Sequence, residues 1–403
     1  MPEQHRTPPV EAVETDAPGP GPGTPRKLAA VLLGLTAVVV LMLCAFALPG
    51  VNGGPHQVPI GVTGPQAAAQ GLAEKLDGPE WDVTVYEDTA ALTTAIRERE
   101  AVGGLALGTG GLDVYTAAAG APTATGALTA LGNAAAAQQQ VKATVHDLVP
   151  FPGDDPRGAG LAAAGLPLVF GGIFPAVVLT RLFPGHSGLR TRFAGVVLFS
   201  LLAGLAVAGC LQYGTGSLAG NYWLTALGLG LGVAALSMTF IGLEALAGFA
   251  GLGAGAAVMM LLGNPLSGLG SGPYWLPSGW STLGQVLPPG ASGSLLRSLA
   301  FFDGTGAAVP ALTLAAWVAL GLVLLLGDSC GGGRGGGGGG EGGRRRIARA
   351  DTPSLGGGGF SPPPRTPRPS GRQPLLTAAR ISGSRFAVRG AAVLRPAHTR
   401  SAP

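Results

Sequence analysis

One carboxylate stands alone in the apolar middle of this chain: Glu244, in "IGLEALAGFAG". A charge at membrane depth costs roughly 2.5–3.5 kcal/mol on insertion scales, so such a residue is a candidate for an ion or substrate pathway. The glycines that follow it point instead to a chain break. A break there sets Glu244 near the cytoplasmic surface, in water or against a coupling partner. Other reactive residue types are scattered. The five histidines (His5, His56, His146, His186, His398) form no H-E-x-x-H pattern, and the three cysteines (Cys44, Cys210, Cys330) form no C-x-x-C. Metal binding and disulfides are therefore not expected. No G-x-x-x-x-G-K-[ST] loop and no G-x-S-x-G elbow occur. The chain is not expected to be an enzyme, and no catalytic, metal or cofactor residue is assigned.

A second group of candidates surrounds "GPYWLPSGWSTLGQVLPPGA", residues 272–291. Its four prolines exclude a continuous helix, yet it is too apolar for a solvated loop. Tyr274, Trp275 and Trp280 suit a membrane headgroup belt. Pro277, Pro288, Pro289 and Gly290 break helical hydrogen bonding, which a membrane tolerates only where protein or water satisfies the backbone. In "SGSLLRSLAFF", Leu295, Leu299 and Phe302 share one face and Ser294, Arg297 and Ser298 another. This spacing predicts a short amphipathic helix lying on or dipping into the outer leaflet. Together with Asn264 and Pro265 just before it, the stretch reads as a semi-rigid collar or interfacial connector.

The elements that must position these residues are apolar helices. Of 403 residues, 47% are hydrophobic and 11% charged, against roughly 25% charged in an average soluble domain. Spans are expected over residues 28–48, 161–182, 193–211, 222–243, 249–262 and 309–326, six crossings in all. The first is long for a secretory leader and is read as a retained helix. Arg26 and Lys27 precede span one. Arg181, Arg190 and Arg192 fill the turn after span two, and thirteen arginines follow span six. All three flanks fall on one side, which the positive-inside rule makes cytoplasmic. Residues 49–157, with five basic and twelve acidic residues, then lie outside. The formal charge of +4 hides these opposite local balances, and no nucleic-acid partner is expected.

Within 57–149 the pattern alternates. "QVPIGVTG", "WDVTVYED", "AVGGLALG" and "LDVYTAA" read as strands; "PQAAAQGLAEKL", "TAALTTAIRERE" and residues 123–141 read as helices. That is a small α/β domain. The run Arg97-Glu98-Arg99-Glu100 reads as a solvated helix face. Asp88 is expected to cap the helix after it and Asp155 the helix entering span two. The glycine runs starting at Gly228 and Gly248 lie inside apolar spans and read as helix-packing surfaces.

The expected fold is thus an α-helical membrane bundle of about six transmembrane helices with an inserted small extracytoplasmic α/β domain. The segments are a disordered cytoplasmic N-terminus (1–26), helix 1 (27–48), the outer domain (49–157) and a five-helix membrane domain (158–327) holding the Pro/Trp segment 264–307. Residues 328–403 form a low-complexity cytoplasmic tail, a composition that GC-rich DNA also yields in a shifted reading frame.

Over residues 25–328 this plan resembles the membrane subunit of type-2 ABC exporters, in the branch of phage-infection-protein-like membrane proteins. The resembling residues are "DDPRG" before span two, "GNPLSG" (263–268), "WLP" (275–277), "LPPGA" (287–291) and "FFDG" (301–304). The resemblance implies a permease in the cell membrane, working as a homo- or heterodimer with a separate ATPase and exporting an amphipathic or polymeric substrate. One departure is the absence of an amphipathic coupling helix ahead of span one. The competing reading is a non-transporting scaffold or surface receptor whose outer domain binds a partner.

Overall fold

A computed structural model describes residues 24–331, apart from positions 109 and 278. The expectations for the N-terminal residues 1–23 and for the tail beyond 331 lie outside the described residues. The chain opens with α1 (Thr24–Val51), whose apolar side chains are exposed along its length. The α/β domain follows: β1 (Val58–Thr63), α2 (Gln66–Leu76), β2 (Trp81–Val85), α3 (Thr89–Arg97), β3 (Gly103–Leu107), β4 (Gly111–Thr116), α4 (Pro122–Gln138) and β5 (Lys142–Asp147). The sheet order is β2-β1-β3-β4-β5. β1 is parallel to β2 and β3, β4 is antiparallel to β3, and β5 is parallel to β4.

Helices cover both faces of the sheet. A Cβ on Gly103 would strike Leu128 of α4, and one on the adjacent Gly104 would strike Leu92 of α3. Successive strand residues point to opposite faces, so these two glycines let each helix sit close. Val58, Ile60, Val62, Leu105, Leu112 and Val114 form the buried strand core. The strands and helices expected for this domain are present. β5 is an addition, because no strand is expected beyond the helix that ends at 141. As expected, Asp88 Oδ1 accepts the backbone N–H of Ala91 at 2.7 Å and caps α3. Asp155 accepts the N–H groups of Ala159 (2.9 Å) and Gly160 (2.8 Å) at the start of α5 (Ala159–Ala163).

Next come α6 (Gly165–Leu182), α7 (Leu189–Gly209), α8 (Tyr222–Val258), α9 (Trp280–Val286), α10 (Pro288–Phe301) and α11 (Ala308–Gly331). Five segments of the described chain are long and apolar enough to cross a membrane: Arg26–Leu48, Ala159–Leu182, Leu189–Gly214, Tyr222–Gly263 and Ala308–Gly327. The described chain is a mostly helical bundle, with helices long and apolar enough for a membrane, that carries a mixed-sheet domain.

Spans four and five are not separated by a loop. Expected spans four and five form one segment, Tyr222–Gly263, interrupted at Ala247 and Gly248, where the backbone leaves helical geometry. Gly248 has φ 62° and ψ −154°, a conformation open to glycine and costly for other residues. The chain folds back there: a Cβ on Gly255 would lie 3.5 Å from Phe240. The second arm, residues 249–263, rises roughly 22 Å at 1.5 Å per residue, short of the roughly 30 Å of a bilayer's hydrocarbon. It is the short returning arm of a hairpin, running from the break toward the strip that meets the outer domain.

Small residues set the packing of the bundle. A Cβ on Gly230 of α8 would approach the Ser200 carbonyl of α7 to 2.9 Å, and one on Gly242 would approach the Gly321 carbonyl of α11 to 2.6 Å. Lipid tails give helices no hydrophobic reason to associate, so close backbone contact between small residues does the holding. The glycine run of α8 serves this packing.

Candidate functional site

Two ends of the bundle differ in chemistry. At one end, Arg192 of α7 is almost fully buried; its Nε donates to the Phe183 carbonyl at 2.8 Å and its Nη1 to Glu244 Oε2 at 3.3 Å. The Glu244 side chain is only 18% exposed. Arg181 lies over the Phe249 ring, 4.0 Å from its centroid. The turn after α6 and the break in α8 therefore share this basic end. The C-terminal part of α11 joins them, since Gly321 and Leu324 pack on Gly242. Glu244 is thus beside a chain break, as expected, but it faces an arginine of its own bundle rather than water.

The α/β domain docks at the opposite end. Its Ala119 and Phe151 share a core with Leu161, Leu211, Leu218 and Leu296, and Phe302 fills the α3 side of the sheet beside Leu92 and Ile96. The Thr123 hydroxyl donates to the Ser271 carbonyl.

The strip between α8 and α9 is built from short turns. Pro265–Ser267 and Pro273–Trp275 form single 3₁₀ turns, separated by glycines. Gly268 (φ 64°) and Gly272 (φ 89°) lie in the left-handed region. A Cβ on Gly272 would press on Ala121 at 3.2 Å, so glycine both turns the chain and admits the outer domain. The linker after α1 runs along this strip: Gly54 N–H donates to the Trp275 carbonyl and His56 N–H to the Tyr274 carbonyl, each at 3.2 Å.

Beside the strip lies a cavity of about 650 Å³. α1 lines it with Leu41, Cys44 and Leu48, the returning arm of α8 with Val258 and Leu262, and the strip with Pro277 and Trp280. Asn52 supplies an amide at its edge. The lining is that of a pocket for hydrocarbon, with volume in the range of small-molecule sites.

Comparison with protein-family models, curated proteins and solved structures gave no match. The site is accordingly read from its own chemistry. Pro277 and Trp280 line the cavity; Trp280 is half-exposed, and Trp275 is held through its carbonyl by the linker. Asn264 and Pro265 open the strip, at the start of the 3₁₀ turn Pro265–Ser267. Asn264 Oδ1 sits 2.8 Å from where a Cβ on Gly165 would be, and the Asn264 carbonyl accepts the Ser267 hydroxyl at 2.7 Å. Of the expected residues, Pro277 and Trp280 line the cavity, whereas Asn264, Pro265 and Trp275 do not. Glu244 is at the other end of the bundle and does not join them.

The expectation for α10 is overturned. Pro288 and Pro289 do not merely break a helix; they begin α10 at its first turn, where a missing N–H is harmless. Pro288, Pro289, Gly290, Leu295, Leu296, Arg297 and Ser298 are all buried, so both faces of this helix are covered by protein. Ser292 packs against Gly232 of α8, Gly290 against the Gly284 backbone of α9 and Gly293 against Leu269, while Ser294 donates to Gln285. They do not face lipid headgroups.

Arg297 is 1% exposed. Its Nη2 donates to the carbonyls of Gly268 (3.0 Å) and Leu269 (2.5 Å) and so ties α10 to the strip. A residue outside the expected site joins it. Arg99, expected on a solvated helix face, turns at φ 65° just past α3, donates to the Ser298 hydroxyl and lies 5.0 Å from the Phe302 ring centroid. Burial lowers its guanidinium from the ordinary arginine value, with Tyr274 acting against the shift, and burial likewise raises the Tyr274 phenol. The neighbouring Arg97, Glu98 and Glu100 are exposed, as expected. No periodicity marks Arg99, because it stands beyond the helix end where the pattern stops.

Proposed function

We propose that this chain is the membrane subunit of an exporter of the type-2 ABC kind, taking an amphipathic molecule from the bilayer and releasing it on the side of the α/β domain. The observation that carries the reading is the apolar cavity of about 650 Å³ between α1, the returning arm of α8 and the Pro/Trp strip. A hydrocarbon chain fits its lining, and its walls come from three separate elements whose relative shift would open or close it. α1 contributes one wall while the rest of its surface is bare, which suits an element that moves against lipid or against a second copy of the chain.

In this reading the protein is a multi-pass protein of the cell membrane, with the basic end in the cytoplasm. Arg181 and Arg190 there offer a docking rim to a separate ATPase, since the chain has no phosphate loop of its own. The test is purification of the full chain from its native membrane in mild detergent. An associated ATPase whose turnover rises when a long-chain amphiphile is added supports export. A preparation with no nucleotidase, or one indifferent to every amphiphile tried, removes the proposal.

A further inference from the structure

The apolar cavity beside the strip has a polar mouth and a definite depth. From α1 and the residue after it, Leu41, Cys44, Leu48 and Asn52 line it, positions that fall on one face of a helix. The lined stretch, from Leu41 to the end of α1 at Val51, rises roughly 15 Å at 1.5 Å per residue. That is about half of a bilayer's hydrocarbon, roughly 30 Å thick. It is the half nearer the α/β domain, into which the chain leads after Asn52.

Asn52 spends its Nδ2 on the Leu48 carbonyl at 3.1 Å. Among the described residues, its Oδ1 accepts no hydrogen bond and the indole N–H of half-exposed Trp280 donates none. One free acceptor and one free donor on the same cavity match a hydroxyl, which gives one proton and accepts another. None of the lining residues is charged. A carboxylate or phosphate seated there would meet no cation, and taking such a group from water unpaired is costly.

A second wall is built irregularly. After α8, residues Met259–Gly263 form a π turn, in which the Asn264 N–H donates to the Met259 carbonyl at 2.9 Å. Such turns are rare and gather at functional sites, and Leu261 and Leu262 of this one line the cavity. A cleft that bulk lipid merely fills needs neither that turn nor polar groups at its rim, and it would accept every headgroup alike.

We propose that the cavity binds a single-chain lipid with an uncharged, hydroxyl-bearing headgroup, of the monoacylglycerol kind, taken from the leaflet on the α/β-domain side. The chain lies along Leu41, Leu48 and the π turn, and the hydroxyl meets Asn52 and Trp280. That this lipid is the exported substrate rests on the export reading above; its binding does not.

The experiment is displacement of a fluorescent fatty-acyl probe from the full chain in phosphatidylcholine nanodiscs, whose headgroups carry no hydroxyl. The competitors are a monoacylglycerol and the ionised fatty acid of the same chain, compared at equal content in the bilayer. The monoacylglycerol is expected to displace the probe about tenfold more effectively, the return on two hydrogen bonds. Asn52→Ala and Trp280→Phe each shrink that preference and leave the fatty acid unchanged. Both side chains are exposed, so neither substitution disturbs the core. Equal displacement by the two competitors, displacement by neither, or a preference that survives both substitutions overturns the proposal. Selective displacement in a chain that purifies without an ATPase removes the export reading and leaves the lipid site standing.

Discussion

Arg192 and Glu244 meet 3.3 Å apart between α7 and the first arm of α8, both largely out of solvent. The pair stands three residues before the backbone break at Ala247 and Gly248. Its role follows from that position: it anchors the end of the first arm so that the chain can reverse against a fixed helix.

Removing one partner should therefore hurt more than removing both. Glu244→Gln leaves a buried guanidinium without its acid and is expected to lose about 3 kcal/mol, in line with other buried pairs broken on one side. Arg192→Met combined with Glu244→Leu should lose clearly less. Denaturation of the three proteins in the same detergent measures this, and equal losses for single and double variants would show that the pair is not coupled.

The crossing of α8 and α11 depends on glycine. A Cβ on Gly321 would meet the backbone at Met238, and one on Gly242 the backbone of Gly321. Gly321→Leu is expected to cost about 1–3 kcal/mol by overpacking, visible as a lower unfolding midpoint. Gly327→Leu, where a Cβ meets nothing within 4 Å, should be close to neutral.

The Asp155 cap gives a pH signature. Burial raises its carboxyl, but hydrogen bonds from Gly160, Ala159 and Ser217, with the Arg157 charge, outweigh that and leave it below its ordinary value. A depressed folded value means the stabilisation is fully present above the unfolded aspartate value of about 3.9 and is lost as pH falls through the folded one. Asp155→Ala should cost about 1 kcal/mol at neutral pH, as other lost caps do. Its deficit relative to the native chain should shrink once pH drops below about 4. A deficit constant down to the lowest pH that keeps the protein folded would contradict the charge-based account.

Filling the apolar cavity should block whatever enters it. Ala257 lines the cavity and is exposed within it, so Ala257→Trp adds bulk without disturbing the core. Binding of a fluorescent fatty-acyl probe to the purified chain is expected to weaken at least tenfold. Unchanged binding would place the hydrocarbon elsewhere.

Much of this architecture follows from residue patterns, and the exceptions have physical causes. Strand alternation and helical spacing located four strands and three helices of the outer domain. β5 escaped because "KATVHD" follows an alanine-rich helix directly and packs only one edge, leaving it largely exposed. The break after Glu244 was legible in its glycines and the shortness of the next arm in the bounds 249–262, whereas the packing of that arm on Phe240 leaves no local mark in the sequence. α10 misled because Ser294, Arg297 and Ser298 read as a polar face in water, while in the folded chain they bond to Gln285, to the Gly268 and Leu269 carbonyls and to Arg99. Of the site residues, Pro277 and Trp280 were found by their aromatic and proline chemistry. Arg99 was not, since its contact with Ser298 bridges 199 positions of sequence, and nothing local records it.

The account stands on the α/β domain and the basic end of the bundle lying on opposite sides of a bilayer. Single cysteines at Glu100 and at Arg190, in a chain whose native cysteines are replaced by serine, test this with a membrane-impermeant maleimide on intact cells. Labelling at position 100 from outside, with position 190 reached only after the membrane is opened, is the predicted result. Position 190 labelled in intact cells with position 100 protected, or both labelled alike, would contradict it.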